Sequence, residues 1–394
     1  MQIERLPAMK CSYAACRDFS IFNFHFSIFN LHFPRVFGVQ CVIGMSDLLI
    51  IDGSYGEGGG QILRTSLTLS AILGRPIRIE NIRAGRRNPG LQPQHLTAAR
   101  AVASICGGEL AGDQVGSQVL DLRPGRVEPG DYVFDVSQVK ASAGSVNLIF
   151  QTVLLPLALA GRQSRITIRG GTHVPWSPPA NYVDNVYLAA LERMGLLAAY
   201  RVERAGYYPI GGGEIRAEIR PVGALQPLKL TARSPGSVTC FSAVSNLPRS
   251  IAERQMAEAT ARLRTMGIQA GEVIEDYPSA GKGTVVFILY DGSEAKAGFT
   301  GLGERGKPAE KVAQEAADEF AAWWASGAAL DKHLADQLVV PMALADGESA
   351  FTTAEITQHL LTNIWTVSKF LPARFEVDGE IGAFGMVRRL SDED

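Results

Sequence analysis

The chain has 394 residues, 46% of them hydrophobic and 20% charged, with a formal net charge of -2 at pH 7. This composition is ordinary for a globular protein, and the charge excludes a general basic coat that would attract long nucleic acids non-specifically. A local basic pocket is still allowed. The length exceeds what one hydrophobic core usually serves, so we expect two or more structural units.

The first 44 residues differ from the rest of the chain. They are crowded with Phe, Asn and His, and the string FSIFN occurs at Phe19–Asn23 and again at Phe26–Asn30. This alternation differs from a signal peptide, which has an aliphatic core and a small-residue cleavage site. We expect a non-domain extension or an over-extended reading frame, with the domain starting at Met45. An aggregation-prone strand pattern is the alternative.

The five cysteines form no C-x-x-C pair, and three of them lie before residue 45. Neither a disulfide framework nor a zinc site is therefore expected, and a reducing compartment fits better. We predict a cytoplasmic location. No apolar run in the sequence reaches the length of a membrane span.

From Leu48 onward, strand-like and helix-like runs alternate, and the order strand, helix, strand, helix, strand occurs twice before residue 229. The predicted strands cover residues 48–52, 76–83, 118–124, 131–136 and 164–171, and strand-like runs continue to Val222. The predicted helices cover residues 61–74, 91–108, 143–161 and 181–195. Each copy spans about 80–90 residues, which is domain-like rather than solenoid-like.

A third copy requires the C-terminal segment, where residues 330–345 and 356–371 are helical and residues 349–354 and 373–380 are strand-like. The region before it follows another pattern, with charged helices at 250–267 and 308–326 and strands near 284–290. We interpret residues 230–326 as an inserted small domain, because insertions are tolerated where chain ends lie close together.

The string GSYGEGGGQILR links a predicted strand to a predicted helix. Its glycines allow close approach of a ligand, and the helix start offers unpaired N–H groups to an anion. It matches neither standard nucleotide-binding motif, so a tight turn is an equal interpretation. Glu57 lies among the glycines and would suit a divalent metal, and Arg64 follows one helical turn after Gly60.

The string IRAGRRNPGLQPQH brings Arg83, Arg86 and Arg87 together ahead of Gln94 and His95. Glycine and proline make this loop rigid, so its arginines are candidates for a fork that binds phosphate. Solvated surface arginines are the alternative.

Three further segments have simpler alternatives. The loops RGGTHVPWSPPANY and GYYPIGGGEI are interpreted as ligand loops or as turn clusters. Asp336, near the start of an apolar helix, is a site residue or only a favourable charge in the first turn. His359, within ITQHLLTNIW, is a nucleophile, a ligand or a half-buried helix residue.

Taken in order, these motifs resemble the RNA 3'-terminal phosphate cyclases. The resemblance rests on DGSYGEGGGQILR, IRAGRRNPGLQPQHL, FQTVLLP, GGTHVPWSPP, YPIGGG, HLADQLVVPMALA and QHLLTNI, and it covers the chain from about Leu48. It implies an α/β (α+β) fold with three repeated βαβαββ-type units. The large catalytic domain would comprise residues 45–229 and 327–394, with the small α/β domain, residues 230–326, inserted in the third unit.

The resemblance also implies an activity. Members of the family use ATP to convert an RNA 3'-phosphate end into a 2',3'-cyclic phosphate, releasing AMP and pyrophosphate. A divalent metal, Mg²⁺ or Mn²⁺, is needed. The histidine that carries AMP during the reaction corresponds to His359. The sequence does not fix the oligomeric state, and a homodimer is one option.

Other roles follow from the resemblance position by position. Glu57 resembles the carboxylate near the metal. The residues that resemble the phosphate-handling set are Arg64, Arg83, Arg86 and Gln94. Those that resemble the ATP site are Gln151, Pro178, His333, Leu334, Ala335, Asp336 and Gln337.

This chain departs from the family at two positions. His333 replaces a tyrosine that often precedes LADQ, and Ala205 replaces a His or Arg before the glycine of GYYPIGGG. Two other functions are alternatives. A non-catalytic cyclase-like ribosome-assembly protein would lack the histidine and arginines that this chain retains. An enolpyruvyl-transferase-like enzyme, built from related repeats, would not need ATP or a nucleophilic histidine.

Overall fold

Two strand–helix pairs followed by a hairpin build the first sheet. The computed structural model describes residues 47–139 and 142–391, so the predicted extension, residues 1–44, lies outside the described residues. The elements are β1 (Leu49–Asp52), α1 (Gly60–Leu73), β2 (Ile77–Glu80), α2 (Pro93–Cys106), β3 (Glu109–Ala111) and β4 (Leu120–Arg123). The strand order is β1-β2-β4-β3, with β1 and β2 parallel and the other pairs antiparallel. Isoleucines alternate into the core along β2, as expected for a half-buried strand.

The second sheet follows the same pattern. Its elements are β5 (Asp131–Asp135), α3 (Val146–Ala158), β6 (Ser164–Gly170), α4 (Ala180–Tyr182), α5 (Leu188–Arg193), β7 (Ala198–Arg204) and β8 (Gly213–Ile219), with a π-helical segment at Val183–Tyr187 between α4 and α5. The order is β5-β6-β8-β7, again with one parallel pair. Helix α3 is buried on nearly every side, which explains its continuous apolar sequence.

The next region contributes a sheet of its own. Its elements are β9 (Lys229–Leu230), β10 (Gly236–Ser245), α6 (Arg249–Thr265), β11 (Ala270–Asp276), β12 (Gly283–Gly292), β13 (Lys296–Leu302) and α7 (Ala309–Ser326). Strands β10 to β13 pair in the order β11-β10-β12-β13, and α6 and α7 pack together over a separate apolar cluster around Phe299, Phe320 and Trp323.

The chain then returns to complete the sheet that β9 began. Its last elements are α8 (Lys332–Gln337), α9 (Val339–Leu344), β14 (Ser349–Thr353), α10 (Gln358–Ser368), β15 (Phe375–Asp378) and β16 (Gly385–Arg389). The order is β15-β16-β14-β9, with β9 and β14 parallel. Strand order and directions match those of the first two sheets. Helix α1 packs against α2, α3 and α10, and this contact places the starts of α1 and α10 side by side.

The mixed α/β class is confirmed, and the predicted helices all form. The sequence reading missed strands β3, β9, β10, β11, β13 and β16, most of which are short or polar on one face. Residues 236–326 form their own sheet and core, but all described residues belong to one compact unit, so the division at 230–326 stays a prediction. Within the described residues, no helix combines the length and apolarity required to cross a membrane.

Candidate active site

The glycine-rich loop before α1 is pressed against α10. Gly56 has a φ of +58°, and a Cβ atom there would lie 2.3 Å from the Thr362 hydroxyl oxygen. Only glycine fits this approach without strain. The close packing brings Glu57 to the start of α10, where its Oε2 lies 2.6 Å from Nδ1 of His359.

His359 lies in the first turn of α10, which begins with a cap: the Thr357 hydroxyl accepts a hydrogen bond from the Leu360 N–H at 3.1 Å. Partial desolvation lowers the pKa of His359, and the positive charges of Arg64 and Arg86 act in the same direction against the opposing charge of Glu57. The imidazole is therefore neutral near pH 7. A carboxylate beside Nδ1 favours the proton on that nitrogen, which leaves the Nε2 lone pair available.

The predicted arginines occupy different environments. Nη2 of Arg86 lies 3.5 Å from Oε2 of Glu57, so this guanidinium joins the His359 cluster. Arg83 has a φ of +54° and donates to the carbonyl oxygens of Asn88 and Gly90 at 2.6 and 2.9 Å, which braces the loop. Arg83 thus supports the loop that carries Arg86.

Arg64 projects from α1 into the central cavity, where it donates to the Gln61 side chain at 3.1 Å. Burial lowers its pKa to about 10, so it keeps its charge at neutral pH. Among the described residues it has no carboxylate within ion-pair distance. A desolvated cation without a carboxylate partner favours binding of an anionic group.

Gln94 and His95 have structural contacts. The Gln94 side-chain oxygen accepts a hydrogen bond from the Ser145 N–H at 3.0 Å, which ties α2 to the start of α3. His95 is buried and accepts from the Gln92 N–H at 3.2 Å, and burial lowers its pKa to about 3. Gln94 does not line the cavity, and its predicted role in phosphate handling stays a prediction.

A cavity of about 470 Å³ brings most of the predicted ATP-site residues together. The predicted residues that line it are Arg64, Gln151, Pro178, His333, Asp336, Gln337 and His359. The Gln151 side chain donates to Gln337 Oε1 at 2.6 Å, and Gln337 Nε2 donates to the His333 carbonyl oxygen at 2.7 Å.

Two residues of the predicted ATP-site segment 333–337 face the apolar core instead of the cavity. The side chains of Leu334 and Ala335 are buried in the large apolar core and do not line this cavity, because successive residues of a helix face different directions. Glu57, Arg83 and Arg86 also lie outside the cavity lining, on the loops beside His359.

Asp336 is buried at the end of α8, and burial raises its pKa to about 7. Its backbone carbonyl accepts a hydrogen bond from the Asn363 amide at 2.6 Å, and the Thr65 hydroxyl donates to Asn363 Oδ1 at 2.7 Å. This chain of contacts joins α8, α10 and α1 at the wall of the cavity, which all three residues line. Sequence reasoning missed both residues, although Asn363 lies within the motif QHLLTNI and Thr65 directly follows DGSYGEGGGQILR.

The ring of His333 is held by Glu319, a residue of α7. Its Nε2 lies 2.9 Å from Oε1 of Glu319, and Nζ of Lys332 lies 3.0 Å from the same oxygen. Desolvation acts to lower the pKa of His333, but the hydrogen bond and charge of Glu319, with the charge of Asp331, outweigh it and raise the pKa. Tyr182 meets the imidazole edge-on, with ring centroids 6.5 Å apart.

Strand β13 supplies a wall that the sequence did not predict. Gly298, Thr300 and Leu302 line the cavity together with Glu319. The Thr300 hydroxyl is buried and has no hydrogen-bond partner among the described residues. No sequence signal identified this wall, since β13 itself was not recognised as a strand.

No group of three or more His, Cys, Asp and Glu side chains suited to a metal ion occurs in residues 47–139 and 142–391. Cys106 and Cys240 are free and buried. Ala205, one of the family departures, is buried, and its N–H donates to the Pro278 carbonyl oxygen at 2.8 Å, so a small side chain fits there.

The family model described as RNA 3'-terminal phosphate cyclase matches residues 55–377 of this chain. The chain belongs to that family. The matched range includes the glycine loop, the arginine loop, the cavity and His359. The chain is accordingly an enzyme of the cyclase family, as the sequence resemblance predicted.

Curated relatives agree with this assignment. The RNA 3'-terminal phosphate cyclase of Methylococcus capsulatus is 49% identical over 86% of this chain and 96% of that protein. The proteins of that name from Trichormus variabilis and Thermococcus onnurineus are 45% and 44% identical over 82% and 86% of this chain, and 94% and 98% of their own lengths. The crystal structure of the enolpyruvyl transferase NikO from Streptomyces tendae aligns with 88% of this chain and 82% of the NikO chain at 11% identity. Its TM-score of 0.18 is too low to support any conclusion about this chain.

Proposed function

We propose that this enzyme uses ATP to convert an RNA 3'-phosphate end into a 2',3'-cyclic phosphate through an AMP adduct on His359. The observation that supports this most directly is the position of His359. Its neutral imidazole lies on the wall of a nucleotide-sized cavity, with Nδ1 2.6 Å from Glu57. The names of the relatives support RNA 3'-phosphate as the second substrate.

The reaction proceeds in three displacements at phosphorus. Nε2 of His359 attacks the α-phosphorus of ATP, the bond to the β-phosphate oxygen breaks, and pyrophosphate leaves. An oxygen of the RNA 3'-phosphate then attacks the same phosphorus, which frees the imidazole and forms an RNA–AMP anhydride. Finally the neighbouring 2'-hydroxyl attacks the RNA phosphorus, loses its proton and expels AMP.

The side chains around His359 suit these steps. Glu57 holds the proton on Nδ1 and compensates the positive charge that develops on the ring during attack. Arg64 lines the cavity and Arg86 lies beside Glu57 and His359, and both would attract the negative phosphate oxygens of a nucleotide bound at His359. The pair Gln151–Gln337 and the ring of His333 form the wall that would position the nucleoside.

Glu57 also suits the predicted site for a divalent metal. Its carboxylate lies beside His359, and magnesium is commonly held by one or two carboxylates plus substrate phosphates and water. A Mg²⁺ or Mn²⁺ ion held by Glu57 would supply positive charge to the triphosphate.

The oligomeric state is a separate question, and a homodimer stays a prediction.

The test is mass spectrometry of the purified protein after incubation with ATP and Mg²⁺. We expect a mass increase of one AMP, mapped to the peptide that contains His359 and removed when a 3'-phosphorylated oligoribonucleotide is added. The same oligoribonucleotide should gain a cyclic phosphate. An adduct on another residue, or cyclisation without any adduct, would contradict the proposed route.

A further inference from the structure

Trp176 combines two unfavourable features. Its side chain is 98% exposed, and its backbone φ is +63°. A bulky residue at positive φ is an outlier, because the Cβ atom crowds the backbone. Strained residues of this kind persist where the surrounding structure fixes them, and they cluster at ligand sites.

The loop that carries the indole is firmly anchored. The Thr172 N–H donates to the Gly206 carbonyl oxygen at 2.9 Å, and the Asn147 side chain donates to the Pro178 carbonyl oxygen at 2.8 Å. Asn147 is itself fully buried. The indole therefore projects from a fixed base, which lowers the entropy lost when a ligand covers it.

The position of the indole relates it to the proposed chemistry. Trp176 lines the rim of the same cavity as His359. Of the large exposed hydrophobic side chains in residues 47–139 and 142–391, it alone contributes to this cavity. The cavity walls leave the indole ring almost uncovered. A ligand that covers the ring must therefore extend beyond the cavity.

We propose that Trp176 is a stacking platform for a base of the RNA substrate close to its 3'-phosphate. This inference rests on the proposed function. An RNA whose 3' end enters the cavity must leave its preceding nucleotides outside, at the rim. Stacking on an aromatic ring tolerates any base, which suits an enzyme that recognises an end rather than a sequence. The chain's charge of -2 also gives little general attraction for the RNA backbone, so a stacking contact has an evident use.

The test compares four variants with the wild-type chain. Trp176→Ala removes the ring, and Trp176→Gly removes it while also suiting the positive φ, so a folding defect in one variant is checked by the other. Trp176→Phe keeps an aromatic face. The control is Phe384→Ala, which removes an exposed aromatic ring just before β16, away from the cavity.

Binding of a short 3'-phosphorylated oligoribonucleotide is measured by fluorescence anisotropy without ATP. Covalent AMP transfer to the protein is measured with ATP alone. We expect the Ala and Gly variants to bind the oligonucleotide about tenfold more weakly and to be labelled by AMP at the wild-type rate. Phe should retain most of the affinity, and Phe384→Ala should match wild type.

Oligonucleotides with an abasic site at the last, second-last or third-last position sharpen the test. At one position, loss of the base should weaken binding to the wild type but not to Trp176→Ala. Equal losses for both proteins at every position would overturn the proposal. So would a Trp176→Ala variant that binds RNA normally, or one with weakened ATP use alone, since the ring would then serve the adenine.

The two proposals fail in distinguishable ways. If the wild type binds the oligonucleotide but never takes up AMP, the proposed catalytic route is wrong, whatever the Trp176 variants show. If the wild type is labelled and cyclises RNA while the Trp176 variants bind RNA normally, only the stacking role is wrong.

Discussion

Two imidazoles face the same cavity, and each has a glutamate beside it. His359 lies 2.6 Å from Glu57, and His333 lies 2.9 Å from Glu319. The pKa of His359 is nevertheless lowered, whereas that of His333 is raised. Both side chains are about half exposed, at 48% and 51%, so exposure alone does not separate them.

The two pKa shifts differ partly because different charged groups surround each ring beyond its glutamate. His359 is surrounded by the cations Arg64 and Arg86 and by His333 itself, which add to desolvation and disfavour its protonation. His333 has Asp331 as a second anion, and Lys332 is its nearby cation. The same pair of residue types thus gives an imidazole with a lowered pKa at Glu57 and an imidazole with a raised pKa at Glu319. A neutral ring can attack phosphorus, whereas a charged ring can only bind or position.

The largest expected effect removes the neutral ring. His359→Ala should abolish covalent AMP transfer and reduce RNA cyclisation by at least about 10³-fold, because no other side chain replaces the nucleophile. His333→Ala should still be labelled, at a rate lowered by no more than about tenfold. Radiolabel from α-labelled ATP on each purified variant measures this. Labelled His359→Ala protein would reverse the assignment of the two rings.

Arg86 tests whether the cations beside His359 act on phosphate as well as on the ring. Arg86→Ala should slow the phosphate steps by about 10²-fold, since one charged donor would be missing where negative charge develops. Arg86→Lys should recover part of the rate. Unfolding curves should be close to wild type, because the Arg86 side chain is 44% exposed. Normal cyclisation by Arg86→Ala would remove Arg86 from the phosphate set.

Glu319→Gln tests whether Glu319 raises the pKa of His333. The pKa of His333 is raised from 6.5, so its contribution to stability is present below about pH 6.5 and is lost as pH rises through the folded-state value. The pKa of Glu319 is lowered from 4.5 to about 2, so its contribution is present above pH 4.5 and is lost as pH falls towards 2. The Glu319→Gln variant should therefore be least stable, relative to wild type, between pH 4.5 and 6.5.

The size of that effect is small because the imidazole is half exposed. We expect a difference of about 1 kcal/mol or less in the free energy of unfolding, followed by urea titration at pH 5.5 and pH 9. Similar differences at both pH values would show that His333 does not carry the extra proton.

The smallest expected effect concerns Thr300, in the wall of the cavity that β13 supplies. Thr300→Val replaces a buried, unpartnered hydroxyl with a methyl group of similar size. We expect unchanged or slightly raised stability and an ATP affinity weakened by about threefold, the loss of one neutral hydrogen bond. The control, Thr260→Val, removes a hydroxyl that donates to the Met256 carbonyl in α6 and should leave ATP affinity unchanged. Equal ATP affinities for Thr300→Val and wild type would place the hydroxyl outside the nucleotide contact.

Much of the fold was predictable because its signals are local. Apolar periodicity and closing glycines located α1, α2 and α3 within a few residues, and strand-like patterns located β2 and β6. Among the strands that escaped prediction, β9 has only two residues and forms because β14, about 120 residues later, offers its hydrogen-bonding edge. Such pairing depends on contacts distant in the chain, which a single sequence does not show.

The candidate site divides in the same way. The sequence alone determined which side chains with reactive or charged groups belong to ordered motifs, including His359, Glu57, Arg64 and Asp336. Only the tertiary structure decided which of them meet and in which protonation state. Glu57 and His359 are some three hundred residues apart in sequence, and they touch because the glycine loop packs on α10. The charge of an imidazole depends on every ion within several ångströms, and those neighbours come from separate loops and helices that only folding brings together.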